Sequence, residues 1–245
     1  MKRRIINSLI SQGSLQEQAP VLLEMARTNT PGYVCMVNVH MLIEAQNSKS
    51  FREVVNNATI AFPDGMPVAK MFRLRYGVKQ ERIAGMDFFP YFMGVCSEHN
   101  LKVALLGSTP EVLEKIEAKA ATDYPGVKIS CSISPPFGQA WDNVAYIEQI
   151  NASGTHVVFV ALGCPRQEKW MFQYSERINA VLFGVGGAFP VYAGTIGRAP
   201  KWMQDSGLEW LHRLVKEPRR MFKRYFYTNT YFLILAIGQL ITRAK

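Results

Sequence analysis

The chain has 245 residues, 48% of them hydrophobic and 19% charged, which is enough for a sizeable core without covalent cross-links. The formal net charge of +9 favours phosphate-bearing partners, whether nucleic acid, anionic lipid or a small diphosphate, and does not choose among them. The 4 cysteines are far apart and form no CxxC pair, which argues against a zinc site or a disulfide framework and favours reduced thiols.

The first twenty residues begin with basic side chains but contain only a short apolar patch. No small-residue cleavage site precedes the return of polar residues, so this segment does not have the pattern of a secretion signal.

Short apolar runs then alternate with longer helical patterns. The predicted strands are Tyr33–Val37, Thr59–Phe62, Lys102–Leu106, Lys128–Ile133, His156–Ala161 and Ala180–Phe183. The predicted helices are Val39–Ser48, Pro67–Tyr76, Phe88–His99, Pro110–Asp123, Asp142–Ser153 and Arg166–Ser175. This alternation is typical of the α/β class and predicts a mostly parallel, Rossmann-like sheet with helices on both faces.

Ligands of open parallel sheets bind at the carboxyl ends of the strands, so the residues just after each apolar run are the first candidates. Two glycine-containing turns, Gly107-Ser108 and Gly184–Gly187, place small residues at such ends, where backbone N–H groups can approach a phosphate. Gly163 follows another strand. Neither Gly107-Ser108 nor Gly184–Gly187 completes a GxGxxG or Walker A motif, and taken singly such a glycine turn is more often just a tight connection.

Asp64 lies between Pro63 and Gly65 at the end of the second predicted strand. One interpretation is a general base that removes a proton from an acceptor hydroxyl. The other is an N-cap for the following helix, because Asp-Gly-Met-Pro also suits a helix start. The spacing alone does not decide between them.

Four other polar residues near strand ends are candidate ligand contacts. Arg82 could clamp a diphosphate, whereas the nearby Asp87 is interpreted as a helix cap. Asn38 and His40 follow the first predicted strand, and a lone histidine there is often structural. Gln167 could donate to a sugar or phosphate oxygen, whereas Glu168 beside it could simply favour the helix dipole.

The composition changes near Gly197, which divides the chain into a predicted core, residues 1–197, and a C-terminal appendage, residues 198–245. From Arg198 to Arg224, eight Lys or Arg residues stand against three acids, and the apolar stretch Tyr225–Ile241 follows. A basic stretch beside an apolar one is typical of a helix that docks on an anionic bilayer. The apolar stretch is marginal for the roughly 20 residues of a spanning helix, so attachment to the surface is favoured.

The appendage carries four arginines of interest, which are Arg213, Arg219, Arg220 and Arg224. Three of them recur at spacings of seven and four and would share a helical face. They could form a lipid-facing basic stripe, or they could fold over the active site and neutralise a leaving diphosphate. The second role would matter because the sequence offers no DxD arrangement and no carboxylate pair for a metal, so neither metal nor cofactor is expected.

Taken together, these junctions resemble the WecG/TagA/CpsF family of bacterial glycosyltransferases. The matching strings, in consistent order over nearly the whole chain, are Val37–Met41, Phe62–Met66, Arg82–Asp87, Leu105–Ser108, Ala161–Glu168, Gly184–Phe189, Ala193-Gly194, Arg198–Pro200 and Gly207–Trp210. The chain departs from the family at Pro190, where members commonly have Asp, and at Met36, where some have Thr.

The resemblance implies an inverting, metal-independent enzyme that moves a sugar from a UDP-sugar to a polyprenyl-diphosphate-linked saccharide. It implies peripheral attachment at the cytoplasmic face of the plasma membrane and self-association of the core. Asp64 matches the family's proposed base, whereas Arg82 and Gln167 match substrate contacts. The Gly184–Gly187 turn resembles part of the nucleotide site, and the arginines from Arg213 onward resemble those of a mobile appendage that completes the active site.

The donor sugar stays open among N-acetylmannosamine, its uronic acid, glucose and other hexoses, because pocket shape and a few hydroxyl contacts decide it. Two other classes of function remain as alternatives. A sugar-nucleotide oxidoreductase or epimerase would share the fold, but the GxGxxG after the first strand is missing. A non-catalytic basic module could bind nucleic acid, although the aromatic residues cluster toward one apolar end.

Overall fold

A computed structural model describes residues 1–242, without the side chains of Asp205, Arg220 and Met221. The strands in this range are β1 (Lys2–Ile5), β2 (Ser8–Ser11), β3 (Gly32–Val37), β4 (Ile60–Pro63), β5 (Lys102–Gly107), β6 (Lys128–Ile133), β7 (Val157–Ala161) and β8 (Val181–Gly184). The α-helices are α1 (Leu15–Arg27), α2 (Val39–Asn47), α3 (Lys49–Asn57), α4 (Met66–Tyr76), α5 (Gly85–Glu98), α6 (Pro110–Asp123), α7 (Asn143–Ala152), α8 (Arg166–Tyr174), α9 (Ala188–Tyr192), α10 (Lys201–Asp205), α11 (Glu209–Lys216) and α12 (Pro218–Ile241).

Strands β3 to β8 form a six-stranded sheet in the order β4-β3-β8-β7-β5-β6, and all of their described pairings are parallel. The inner strands are buried almost throughout, as expected when helices cover both faces of a parallel sheet. The α/β class and the parallel sheet predicted from the sequence are therefore confirmed.

Two apolar layers enclose the sheet. On one face, side chains of α2, α3, α4, α7, α8 and α12 pack together with β1 and β2. On the other face, α1, α5, α6 and α9 surround a cluster of phenylalanines, in which the rings of Phe89 and Phe159 meet edge-on with their centroids 4.7 Å apart. Consecutive residues of a strand point to opposite faces, so each buried strand contributes to both layers.

The six predicted strands and six predicted helices are all present, with ends shifted by at most three residues. The largest shift is at α5, which begins at Gly85 rather than Phe88. Elements that the sequence reasoning did not identify are β1, β2, α1, α3, α9 and α10. Most of these lie outside the central β-α alternation.

The hairpin of β1 and β2 covers the edge of the sheet beside β4. The backbone N–H of Ala61, on the outer side of β4, donates to Ser11 Oγ at 3.0 Å. The Lys2 ammonium donates to the backbone carbonyls of Asn56 and Ala58. Such contacts satisfy an edge strand that would otherwise present unpaired backbone groups.

The C-terminal helix α12 has one face on the core and the other in solvent. Phe232 and Ala236 are buried in the first apolar layer, and the amide of Gln239 bonds both backbone groups of Ile6 in the β1–β2 turn. Helix α12 is thus anchored to the opposite end of the chain. The predicted helical appendage is present, and its division from the core at residue 197 stays a prediction.

Candidate active site

Asp64 follows β4 directly, and its backbone N–H donates to the Val37 carbonyl at 2.9 Å, which extends the pairing of β4 with β3 by one residue. The next helix, α4, begins at Met66 with Gly65 as its N-cap and without a side-chain cap bond. Asp64 therefore does not cap α4, and the alternative raised by the sequence is excluded. Its carboxyl group is available for other partners at the carboxyl edge of the sheet.

The pKa of Asp64 is raised to about 7, chiefly because burial disfavours the charged carboxylate. Arg213 and Arg82 act in the opposite direction, and so does a hydrogen bond from Asn38, whereas Glu209 raises the pKa further. The Asn38 side-chain oxygen caps α2 by accepting from Met41 N at 3.1 Å, so its amide nitrogen is the group left to donate to Asp64. A carboxyl with a pKa near neutrality suits general-base catalysis.

Helix α11 lies over this edge of the sheet. Arg213 Nη2 is 3.5 Å from Met86 Sδ, and a Cβ built on Gly187 would approach that same nitrogen to 3.4 Å. Ahead of α11, a Cβ on Gly207 would come within 2.8 Å of the Met66 side chain, two residues after Asp64. The appendage therefore contacts both the Asp64 loop and the turn after β8.

Four charged side chains connect the core to the appendage. Arg82 pairs with Glu209 at 2.6 Å and with Asp87 at 3.3 Å, and Arg198 pairs with Asp87 at 2.7 Å and with Glu209 at 3.4 Å. The predicted role of Asp87 as a helix cap is wrong, because Ala84 is the N-cap of α5 and Asp87 instead binds both arginines. Arg82, predicted to clamp a diphosphate, is partnered here by two acids.

His40 lies in the first turn of α2, and burial lowers its pKa, with Arg224 of α12 acting in the same direction and Glu44 in the other. Its Nδ1 is buried, 3.9 Å from Glu44 Oε1, and makes no hydrogen bond to the described residues. Arg224 thus faces the Asn38–His40 end of the site. Arg219 is exposed, and the side chain of Arg220 lies outside the described residues.

The glycine turns are distributed along the same edge. Gly184 ends β8, next to β3, and is followed by Gly186 and Gly187. Gly107 ends β5 and is followed by Ser108; β5 is four places from β4, on the order of 19 Å away at about 4.8 Å per strand. Gly107 has φ of 113°, and a Cβ there would lie 2.5 Å from the Ala161 carbonyl oxygen. The close approach of β7 is therefore sufficient to require glycine at position 107, without a bound phosphate.

Gln167 and Glu168 open α8 after the Gly163 turn, and both are buried. Gln167 Nε2 donates to Glu168 Oε1 at 2.6 Å, and a Cβ on Gly186 would lie 3.4 Å from Gln167 Oε1. The pKa of Glu168 is raised to about 7 by burial, which its bonds with Gln167 and Cys164 partly offset. Glu168 lies in the first turn of α8, where a carboxylate favours the helix dipole as the sequence suggested, but its complete burial was not apparent from the sequence.

Within residues 1–242, no cluster of three or more His, Cys, Asp or Glu side chains is arranged to hold a metal ion. None of the helices in that range has the length and apolar content needed to cross a membrane.

Two comparisons with known proteins bear on this site. The family model described as "Glycosyl transferase WecG/TagA/CpsF family" matches residues 3–245. A relative from Bacillus subtilis (strain 168) is 34% identical over 188 residues, which cover 76% of this chain and 72% of the relative. That protein is named N-acetylglucosaminyldiphosphoundecaprenol N-acetyl-beta-D-mannosaminyltransferase.

Proposed function

The chain belongs to the WecG/TagA/CpsF family of glycosyltransferases, and from that premise we propose that it moves an N-acetylhexosamine from a UDP-sugar to a polyprenyl-diphosphate-linked saccharide. N-acetylmannosamine is the first choice of donor sugar, and lipid-linked N-acetylglucosamine the first choice of acceptor, because the Bacillus subtilis relative is named for that transfer. One observation carries the proposal: Asp64 extends β4 at the carboxyl edge of the sheet without capping α4, and Arg82 and Arg213 lie near enough to lower its pKa.

The proposed reaction is a single displacement with inversion. The acceptor hydroxyl oxygen attacks the anomeric carbon, the bond from that carbon to the UDP oxygen breaks, and the hydroxyl proton passes to Asp64. Arg213 is positioned to meet negative charge on the departing diphosphate, beside the turn that ends at Gly187. Asn38 holds the Asp64 carboxyl through its hydrogen bond, so that the base keeps one orientation.

Arg82 has a supporting role in this scheme. In the structure its guanidinium bridges Glu209 and Asp87 with 15% of its side chain exposed. It lowers the pKa of Asp64 without a direct contact and holds α11 against the site. A diphosphate could reach Arg82 only by competing with these two acids.

The transfer itself is the test. Purified protein is incubated with a panel of UDP-sugars and a short-chain lipid diphosphate carrying N-acetylglucosamine, and the masses of the products are measured by mass spectrometry. We expect the mass of one N-acetylhexosamine to be added from UDP-N-acetylmannosamine. No transfer from any donor of the panel, by protein that binds UDP, would contradict the proposed reaction.

We also propose that α12 attaches the enzyme to an anionic membrane surface, which the lipid-linked acceptor shares. Seven large apolar side chains of this helix are exposed, beside or opposite its buried face; they are Phe222, Phe226, Tyr227, Leu233, Ile234, Ile237 and Ile241. The exposed Arg219 and Lys223 lie at the basic end of the same face. An apolar stripe with cations at one end matches an interfacial helix.

Sedimentation with anionic and neutral vesicles tests this attachment. Exchanging both Phe222 and Phe226 for serine should reduce binding to anionic vesicles at least tenfold, because each buried aromatic ring contributes roughly 1.5–3 kcal/mol. The matched control is Phe137→Ser, which removes a ring that is 99% exposed on a distant loop. If the double variant binds vesicles normally but changes from an oligomer to a monomer, the stripe is a contact between copies instead.

A further inference from the structure

The amide of Gln167 has a fixed orientation in the structure. Its Nε2 donates to Glu168 Oε1 at 2.6 Å, whereas its Oε1 is buried and makes no hydrogen bond to the described residues. When Glu168 is ionised its carboxylate can only accept hydrogen bonds, and it then requires the NH₂ side of the amide. The oxygen of Gln167 is consequently the atom that remains for a ligand.

The free oxygen points toward the turn after β8. A Cβ on Gly186 would lie 3.4 Å from Gln167 Oε1, and one on Gly184 would lie 3.1 Å from Gln167 Nε2. Strand β8 pairs with β3, whose end carries Asn38, the partner of Asp64. The unpartnered oxygen therefore lies at the edge of the sheet where the donor is proposed to bind.

Glu168 itself does not reach that edge. It has 0% relative exposure; its Oε1 accepts from Gln167, the Cys164 thiol lowers its pKa, and its Oε2 is buried without a hydrogen bond to the described residues. Burying a carboxylate is costly unless hydrogen bonds compensate it, and the bond at Oε1 comes from the Gln167 amide.

We infer that Glu168 is a positioning residue that holds the Gln167 carbonyl toward the sugar nucleotide, so that this carbonyl selects a ligand hydroxyl or N–H group. The inference rests on the proposed function. It reverses the polarity expected from the sequence, in which Gln167 donates to a sugar or phosphate oxygen. A phosphate oxygen offers no hydrogen to this acceptor, so Gln167 would accept a hydrogen bond from the sugar or the uracil ring.

The central variant is Glu168→Gln, studied at pH 8, where wild-type Glu168 is mostly ionised. A glutamine can pair with either side of the Gln167 amide, so the carbonyl is no longer held toward the ligand. We expect the Kd for UDP-N-acetylmannosamine, measured by calorimetry, to rise about tenfold, as for one lost hydrogen bond. The control Glu176→Gln removes the same charge from an exposed position near the end of α8 and should change nothing.

The identity of the selected group is tested with ligand analogues that each lack one donor. The panel consists of UDP-N-acetylmannosamine without its 3-, 4- or 6-hydroxyl, and the same donor methylated at uracil N3. The wild-type protein should lose about tenfold in affinity for one analogue, and Glu168→Gln should lose about twofold or less for that same analogue. Such coupling is not expected from a residue that only stabilises the fold.

Three results would overturn the inference: unchanged affinity in Glu168→Gln, no sensitive analogue, or equal sensitivity in both proteins. If Glu168→Gln does not fold, Glu168→Met, of similar volume and without hydrogen-bonding groups, takes its place in the same measurements. Failure here is separable from failure of the proposed function. If the wild-type protein transfers sugar but the effects of Glu168→Gln and of the analogues are independent, only the role of Glu168 is contradicted. If those effects are coupled but no sugar is transferred, the role of Glu168 stands and the proposed reaction is contradicted.

Discussion

Two carboxyl groups, Asp64 and Glu168, have nearly the same pKa but opposite surroundings. Burial raises the pKa of each to about 7. Asp64 lies under the influence of Arg82 and Arg213, which come from distant parts of the chain, and of the acid Glu209. No arginine or lysine among the described residues shifts the pKa of Glu168, whose hydrogen-bond partners are on its own helix and the preceding loop.

The comparison shows that a perturbed pKa alone does not identify a base. What distinguishes the two groups is access and the charges that accompany them. Asp64 is at a strand end beneath a helix that belongs to the appendage, where a substrate and its leaving group could be held by cations. Glu168 is sealed inside the core, and its effect on a ligand must pass through the amide of Gln167.

The largest effect should come from Asp64→Asn, which removes the proposed base and keeps the shape of the side chain. General-base catalysis contributes typically 10²–10⁴-fold, so we expect turnover to fall by that factor. The Kd for UDP should stay within about twofold, because UDP binding does not require the base. Steady-state kinetics and calorimetry measure both quantities.

The control for that variant is Asp123→Asn, an exposed aspartate on α6 that should leave turnover unchanged. Unchanged turnover in folded Asp64→Asn protein would remove the distinction between the two carboxyl groups.

Arg213→Met removes a cation that lowers the pKa of Asp64 and does not shift that of Glu168. With Asp64 as the base, kcat/KM should rise with pH through an apparent pKa near 7 in the wild-type enzyme. Because Arg213 lowers the pKa of Asp64, its removal should move this limb to higher pH. Losing one group that stabilises the leaving charge should also lower kcat/KM by roughly 10²-fold or more.

The matched control is Arg219→Met, the same charge change at an exposed position of α12. Both proteins should be assayed with a water-soluble acceptor, so that membrane binding does not enter. Equal losses in the two variants would mean that net charge, rather than the position of Arg213, is responsible.

Stability against pH tests the sealed carboxyl. The folded-state pKa of Glu168, about 7, is above its ordinary value of 4.5, so the folded protein binds more protons than the unfolded chain between those values. This group therefore increases the free energy of unfolding at low pH, and the increase is lost as the pH rises through 7. The shift corresponds to roughly 3 kcal/mol at most.

Glu168→Gln should accordingly be more stable than its parent at pH 8, although it binds the donor more weakly. Asp64 has a similar raised pKa, so the comparison is made in an Asp64→Asn background by chemical denaturation at pH 5 and pH 8. If Glu168→Gln instead lowers the free energy of unfolding at pH 8, the ionised Glu168 stabilises the fold, which would contradict the expectation that its burial destabilises the folded state.

Much of the fold could be predicted from the sequence because the inner strands are uninterrupted apolar runs. Helix α1 was missed although its signal was present: Ser14 and Glu17 form a capping box, followed by the interior Pro20 that obscures the helical pattern. The β1–β2 turn gave no such signal, because it contains Ile6 at φ 54° and no glycine. A β-branched residue in that conformation is rare and could not be anticipated.

The candidate site was predictable only where one local pattern defines it. Asp64 stood out because proline and glycine flank it at a strand end. The partner of Arg82 is Glu209, 127 residues away, and no local spacing reveals that contact. The burial of Glu168 could not be predicted, because the sequence does not show which side of α8 packs against the sheet.

The smallest effect should come from Glu209→Gln, which weakens the contact between core and appendage. Glu209 pairs with Arg82 and Arg198 at partly exposed positions, so its loss should loosen α11 by about 1 kcal/mol. Amide hydrogen exchange of residues 209–216 should then be roughly fivefold faster, whereas α8 should exchange as before. Because Glu209 raises the pKa of Asp64, the rise of kcat/KM with pH should also move to lower pH. Faster exchange in α8 to the same extent would show that the two carboxyl regions are one cooperative unit, and the independence argued for Glu168 would be lost.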